Sequence, residues 1–534
     1  MQVVTAAEAA SLIASGAFVG CAGFVGVGHA EAVTSALEER FLQTGSPRDL
    51  TLVFSAGQGD RASRGVNHFG NPGMTRRIVG GHWRSAPRLA SLALANEAEA
   101  YNLPQGVITH LFRTIAAGKP GLLSRIGLNT FVDPRYGGSR LNEAYFADLR
   151  APNRHNAWVK RVEFLGEDYL FYPSFPVDVA LLRGTSVDAN GNISTEEEPF
   201  HHELLSLAQA AHNSNGIVIA QVKRRVERHA NLHAVKIPGI LVDYVVVCEE
   251  PAKHAMTFGE QFNPTYLAAG NGRNLPKAPC QSLGIRKIVQ RRAALEIARQ
   301  RPRVVNLGVG MPANVGAVAH EEGIGGFTLS VEAGPIGGVP AEGFSFGASA
   351  YPEAVVDEPA QFDFYEGGGI DMAFLGLAEL DRLGNVNVSK FGEKGATIIA
   401  GVGGFINITQ SAKSIVFMGT LTAGGLVVEA RDGRLVILSE GRTKKIVEEV
   451  THLTFNGPYT AGLGHRVVYI TERAVFEMRE GRLTLVEIAP GMDLNRDVLA
   501  QCATRIAVAG DLALMDERLF RPEAMGLGAN PRMT

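Results

Sequence analysis

One stretch of this 534-residue chain occurs twice, and that repetition limits its possible folds more than any single motif. VDVALLRGTSVDANGN (177–192) aligns without gaps on IDMAFLGLAELDRLGN (370–385). Asp178 falls on Asp371, Asp188 on Asp381, Gly191 on Gly384 and Asn192 on Asn385. Each copy is an apolar run entering an Asp-x-x-Gly-Asn turn, in which Gly and Asn tolerate positive φ. Two further pairs keep the same order: GFVGVGHAEAV (23–33) with VNLGVGMPANV (305–315), and TLVFSAG (51–57) with TLSVEAG (328–334). Each Gly-Val-Gly reads as a strand entering a tight turn and then a helical stretch. A chain that repeats three such units in one order is a duplicated structure.

The runs between these landmarks give the fold class. GIVIAQV (216–222), YVVVC (244–248) and SIVFMGT (414–420) read as buried strands, and RRAALEIARQR (291–301) as a helix. Strands alternating with helices predict mostly parallel sheets covered by helices. The expected architecture is therefore α/β: two tandem, pseudo-duplicated open α/β domains at 1–270 and 286–534. A linker over 271–285 is placed by the Gly-, Asn- and Pro-rich GNGRNLPKAPC. At the N-terminus, Thr5 and Glu8 have capping-box spacing, and a helix from there is expected to stop by Gly16.

Composition excludes several function classes. Hydrophobic residues at 46% and charged residues at 20% suit a globular protein with a sizeable core. A formal net charge of −3 argues against nucleic acid as a partner. Four scattered cysteines form neither a disulfide framework nor a metal knuckle. No run of about 18 apolar residues is present to span a membrane, and the N-terminus lacks a basic, apolar leader. A cytoplasmic protein is expected.

The duplication breaks at one informative place. Where the second half carries Glu332, the first carries Ser55, so the acid belongs to one half and not to the fold. No His, Cys, Lys or Arg adjoins Glu332, and small residues follow it: Ala333, Gly334, Gly337 and Gly338. Such residues would let a bulky substrate approach and leave backbone N–H groups facing the carboxylate. A carboxylate ionised at neutral pH is a nucleophile that needs no general base. A rival reading takes Gly308-x-Gly310-x-x-Ala313 as a dinucleotide loop and Glu332 as a ribose ligand, giving a nicotinamide-dependent oxidoreductase. Other features read as structural. His201-His202, after the acidic run Glu196–Glu198, reads as a solvated loop and not a metal site. Cys21 reads as packing, and Asp371, Glu366 and Asp381 as residues holding turns and helix ends. No metal-ligand set is expected.

A lone carboxylate suits the movement of coenzyme A between carboxylic acids, which releases no net proton. The residues here resemble family I coenzyme A transferases of the single-chain acetate/propionate type, within the 3-oxoacid CoA-transferase superfamily. VEAGPIGG (331–338) matches their Glu-x-Gly-Pro-x-Gly-Gly. Residues 362–392, GVGGFINITQSAK (401–413), EIAPGMDLNRDVL (487–499) and, in the first half, 169–194 match as well. The resemblance implies two open α/β domains and a homo-oligomer whose partners are acyl-CoA and small carboxylates. Glu332 falls on the nucleophile, which passes through an acyl-glutamyl anhydride and a glutamyl-CoA thioester. Gly308, Val309 and Gly310 fall on a loop near bound CoA, and Gly403, Gly404 and Phe405 on a stretch beside the thioester. Gln105, in LPQG, falls on a residue facing the acyl group. CoA is substrate and covalent intermediate, with no permanently bound cofactor. The chain departs from the Ser-Glu-Asn-Gly motif of 3-oxoacid transferases, which favours short-chain monocarboxylates such as acetate, propionate or butyrate, with acetoacetate in the same class. An acyl-CoA hydrolase on the same fold would differ only in admitting water.

Overall fold

The structure is a computed structural model and describes residues 1–146, 158–270, 282–392 and 395–529. Most of the expected linker, 271–281, and Cys280 with it, lies outside the described residues; helix Ile285–Gln300 begins where the linker was expected to end. The chain forms two compact units. The first comprises Met1–Asn274 together with Val331–Asp363 and Gly392–Asn407. The second comprises Leu275–Ser330, Phe364–Phe391 and Ile408–Thr534. The segment bearing Glu332 therefore packs with the first unit, although it follows the second half's opening strands in the chain.

The first unit is built on one sheet. Its strands run in the spatial order Gln2–Val3, Tyr244–Val247, Ile217–Val222, Val179–Arg183, Phe18–Cys21, Leu50–Phe54, Thr75–Gly80 and Glu99–Asn102. All neighbours are parallel. Helices flank a parallel sheet on both faces, so its strands are near-continuous apolar runs such as VALLR and LTLVF, with every residue buried. The main core gathers Val19, Leu52, Ile78, Leu181 and Ile219 from the strands with Val33, Leu37 and Leu89 from the helices. Strand order reverses between Phe18–Cys21 and Val179–Arg183, and in such sheets the crevice beyond the carboxyl ends of the strands is where ligands bind.

The second unit repeats this plan. Thr328–Ser330, Val304–Leu307, Met372–Gly376, Ser414–Met418 and Arg466–Ile470 are parallel neighbours in that order. Antiparallel strands Ala474–Arg479 and Arg482–Ile488 extend the sheet, and Ala507–Leu514 closes it.

The repeated residues do the same work in each unit. Asp178 Oδ2 accepts from the Phe18 N–H (2.8 Å), and Asp371 Oδ2 from the Val304 N–H (3.0 Å). Asp188 Oδ1 accepts from the N–H groups of Asn190 and Asn192, both at 2.9 Å. Asp381 Oδ1 accepts likewise from Leu383 (2.9 Å) and Asn385 (3.1 Å). The turn glycines have φ of 84° at Gly191 and 74° at Gly384, the left-handed region that favours glycine. Asn192 Oδ1 and Asn385 Oδ1 then each accept a distant glycine N–H, from Gly239 (2.9 Å) and Gly457 (3.0 Å).

Some local expectations change. The Thr5–Glu8 capping box forms, but its helix, Ala6–Ser11, ends short of Gly16. In the second unit Gly308 directly follows its strand. In the first, the strand ends at Cys21 and a tight turn bridging Phe24 and Val27 precedes Gly28, so that Gly-Val-Gly is not entered from a strand. Among the described residues no helix is long and apolar enough to cross a membrane.

Candidate active site

The carboxyl edge of the first sheet supplies a scaffold. Leu50–Phe54 delivers Ser55, Thr75–Gly80 delivers Gly81 and His82, and Glu99–Asn102 leads through Leu103-Pro104 into helix Gln105–Ala116. Asn102 ties these ends together. Its amide nitrogen donates to the carbonyls of Gly80 (2.7 Å) and Gly81 (2.5 Å), and its Oδ1 accepts from the Val402 N–H (3.0 Å). Segment 400–404 is strapped across the same edge. The Trp83 N–H donates to Ala400 O (2.7 Å), the Gly403 N–H to Gly81 O (2.8 Å), and the Gln105 N–H to Gly403 O (2.9 Å). Phe405 opens the helix Phe405–Ser411 that follows.

Glu332 reaches this scaffold from a turn. The Val331 N–H donates to Pro335 O (2.9 Å) and the Gly334 N–H to Val331 O (3.0 Å). Val331 and Ala333 are buried in a satellite core with Phe24, Ala56 and Phe200. Anchoring both neighbours turns the Glu332 side chain the other way, against the strap. A Cβ added at Gly404 would overlap Glu332 Oε2 and come within 3.1 Å of the Phe362 ring, so a larger residue there would displace the Glu332 carboxyl. Gly403, with φ of 52°, brings its backbone to the Gln105 side chain: a Cβ there would be 3.4 Å from Gln105 Oε1.

The glycines following Glu332 have a different job from the expected one. Gly334, Gly337 and Gly338 all have positive φ, and a Cβ on each would meet Val356, Glu353, or the Ser349 hydroxyl and the 350–351 backbone. They let residues 349–356 pack against this turn, and the Gly334 N–H is already used within it. The glycine lying against the carboxylate is Gly404, from about 70 residues downstream.

The electrostatics of Glu332 are those of an isolated acid. Its carboxyl has no hydrogen bond or ion pair among the described residues. Burial raises its pKa from 4.5 to about 7. The side chain keeps partial solvent access. The raised pKa corrects the expectation of a fully ionised carboxylate at neutral pH: removal from water favours the neutral acid.

Behind Glu332 stands a group that local patterns did not reveal. Glu358 opens helix Glu358–Phe364, and its Oε1 accepts from Gln105 Nε2 (2.8 Å). Glu203 Oε1 accepts from the Ser55 hydroxyl (2.8 Å), the residue that occupies the Glu332 position of the repeat. Both acids are fully buried, and burial raises both carboxyls, Glu358 the more strongly. His202 is buried too, at 1% exposure, with neither ring nitrogen hydrogen-bonded. Burial lowers its pKa to about 3. The expected solvated loop is thus buried from Glu198 to Phe200 and at His202: Glu198 pairs with Arg183 (3.1 Å), and Phe200 is wholly enclosed. Charged and aromatic residues in the run found partners on distant strands.

The structure thus brings Glu332, Gln105, Gly403, Gly404 and Phe405 into one unit. Gly308, Val309 and Gly310 belong to the second unit, at the carboxyl end of Val304–Leu307, where that sheet's strand order reverses. The Gly308 N–H donates to Phe374 O (2.8 Å), Gly310 has φ of 87°, and Val309 is 60% exposed.

Known proteins share both this sequence and this fold. A family profile described as "Coenzyme A transferase" matches residues 3–248. A caffeate CoA-transferase of Acetobacterium woodii is 44% identical over 530 residues, covering 98% of each chain. The chain belongs to the coenzyme A transferase family. The acetate CoA-transferase YdiF of Escherichia coli O157:H7 is 42% identical over 98% of this transferase and 96% of its own length. The crystal structure of the YdiF apoenzyme superposes with a TM-score of 0.89 at 41% identity, covering 98% and 97% of the two chains. A second YdiF structure, described as a thioester complex with CoA, gives the same TM-score at 40% identity. The transferase is therefore an enzyme of the CoA-transferring class, and the oxidoreductase reading of its Gly308 loop falls away.

Proposed function

We propose that this enzyme transfers CoA between an acyl-CoA and a short-chain carboxylate, with Glu332 as the covalent nucleophile. The observation that carries the reading is a carboxyl group with no hydrogen-bonding or ionic partner among the described residues, lying against a glycine whose missing Cβ leaves it room. A structural acid in that place would have a partner.

The Glu332 carboxylate attacks the thioester carbonyl, and the oxyanion collapses with loss of the CoA thiolate, leaving a mixed anhydride. The thiolate attacks the glutamyl carbonyl of that anhydride. The donor's carboxylate departs, and CoA stays bound to Glu332 as a thioester. The acceptor carboxylate runs the same steps in reverse, so no proton is gained or lost. Each oxyanion needs a fixed donor. Gly404 lies against the carboxyl, and its N–H, which has no acceptor among the described residues, is the donor in this reading, with Gln105 close by on the acyl side. Gly308, Val309 and Gly310 hold CoA in this reading, and no other cofactor is needed. The family resemblance extends the proposal to a cytoplasmic homo-oligomer. A YdiF structure described as a thioester complex with CoA supports the covalent route.

Enzyme mixed with acyl-CoA alone and quenched in acid should carry CoA, less one water, on the peptide containing Glu332. Initial rates should give parallel double-reciprocal lines, since the first acid leaves before the second binds. An unmodified Glu332 peptide, or intersecting lines without added product, would overturn the reading.

A further inference from the structure

Two buried acids beside the nucleophile have no part in the transfer steps above. In Glu203 and in Glu358, one oxygen is satisfied, by Ser55 and Gln105 respectively. The remaining oxygen of each, Oε2, is buried and receives no donor. The two carboxyl groups face each other, one oxygen of each lying within 4.8 Å of the other and of a His202 ring nitrogen. Two ionised carboxylates so placed would repel in a medium that screens poorly, and each would leave a lone pair unsatisfied. A single proton between the two Oε2 atoms removes both penalties.

We propose that Glu358 is kept as a neutral carboxylic acid, its proton donated to the Glu203 carboxylate, and that this pair positions Gln105 and keeps a second anion away from Glu332. The proposal rests on reading Glu332 as the nucleophile. The asymmetry follows from the surroundings. The Ser55 hydroxyl on Glu203 Oε1 and the Gln105 amide on Glu358 Oε1 each favour the anion, so the difference lies in the charges Glu358 faces. Glu358 feels burial first, then the Glu203 charge and that of Glu332, all of which favour the acid. Two neighbours of the pair carry no charge: burial keeps the His202 imidazole neutral and pushes the Cys21 thiol far up. Farther along the same helix, Asp363 takes up Arg113 and His110.

The consequence runs through three contacts. A neutral Glu358 still accepts from Gln105 Nε2, and Gln105 in turn holds Gly403 O through its backbone N–H (2.9 Å). Gly403 precedes the glycine packed against Glu332. An ionised Glu358 would keep the first contact but would set a like charge beside the nucleophile and suppress its ionisation. Glu203 and Glu358 are thus positioning residues, linked to the chemistry through Gln105 and through charge.

Gln is the isostere of a neutral carboxylic acid, so the two glutamates should respond differently to it. Glu358→Gln should keep glutamyl-CoA formation within about threefold of wild type, with the acid limb of its pH profile unmoved. Glu203→Gln removes the acceptor that holds the proton. Glu358 should then ionise more readily, moving that limb upward and lowering the rate at neutral pH by about tenfold. Infrared spectra of the wild type well above pH 7, where Glu332 is ionised, should show a carboxylic-acid carbonyl band that shifts in D2O and vanishes in Glu358→Gln. This band is read without turnover, so it tests the pair even if Glu332 proves not to be the nucleophile. Absence of the band in the wild type would overturn the proposal. Equal behaviour of the two Gln variants, or a folded Glu358→Gln as impaired as Glu358→Ala, would do the same. So would a stoichiometric metal ion on His202, Glu203 and Glu358 whose removal by chelator abolishes activity, because a metal needs both acids ionised.

Discussion

Replacing Glu332 by Asp separates a nucleophile from a structural acid more cleanly than deleting it. The charge stays and one methylene goes, which draws the carboxylate back by about 1.5 Å, one carbon–carbon bond. The main chain cannot follow. Val331 and Ala333 are fixed in the satellite core, and the turn is closed by the Val331–Pro335 and Gly334–Val331 bonds. In the wild type Oε2 sits hard against Gly404, so the shorter side chain leaves a gap where the thioester carbon must be met. A misplacement of about 1 Å at a reacting atom can cost ~10²-fold, or roughly 2.7 kcal/mol of barrier. The expected result is a fall of about 10²-fold or more in single-turnover formation of glutamyl-CoA. CoA affinity and melting temperature should stay close to wild type, since Glu332 has no hydrogen bond to lose. Rapid-quench mass spectrometry gives the rate, calorimetry the affinity and a thermal melt the stability. If the Asp variant keeps more than about a tenth of the wild-type rate, the 1.5 Å argument fails and the nucleophile assignment goes with it.

Four further outcomes follow from the same geometry. Gly404→Ala places a methyl group on Glu332 Oε2 and should cut the first half-reaction by about 10²-fold without unfolding the protein; near-normal single-turnover rates would show that the carboxyl does not work from this position. The Glu332 pKa is raised above 4.5 to about 7, so kcat/KM for the acyl-CoA should decline below about pH 7, and a flat profile down to about pH 5 would contradict the burial argument. The same shift makes Glu332 a stabilising group below about 4.5 whose contribution is lost as pH rises through about 7. Glu332→Gln should therefore melt with the wild type in acid and above it near pH 8, by an amount on the order of 1–3 kcal/mol after allowing for partial exposure. Covalent CoA should titrate to one per chain, because Ser55 stands in the matching position of the first unit with its hydroxyl given to Glu203; a value near two would make both halves catalytic.

Much of the fold was legible along the chain. Parallel strands are buried on both faces, so 217–222, 244–247 and 414–418 announce themselves as unbroken apolar runs. The Asp-x-x-Gly-Asn turns were readable because their bonds span only a few residues. The errors lie where a local pattern met a distant partner. Glu198 and His202 look like a solvated polar stretch until Arg183 and the packed Phe200 are placed beside them. Gly334, Gly337 and Gly338 look like an opening for substrate until residues 349–356 fold onto them. Nothing local marks Glu358 as more than a helix-opening acid, since its Gln105 partner is 253 residues away.

The sequence by itself determined the duplication, the parallel α/β class and the single acid that breaks the repeat, because each is written in short-range patterns of apolar runs, turn residues and one unmatched position. Only the tertiary structure decided that the Glu332 segment and the Gly403-Gly404 strap pack with the first unit. It also decided that Gly404 is the glycine against the carboxyl and that Glu203 and Glu358 meet behind it. Those outcomes set the charge of every acid in the site. Ionisation depends on how much water is removed and which like charges approach, and both are fixed by chain segments that meet only after folding.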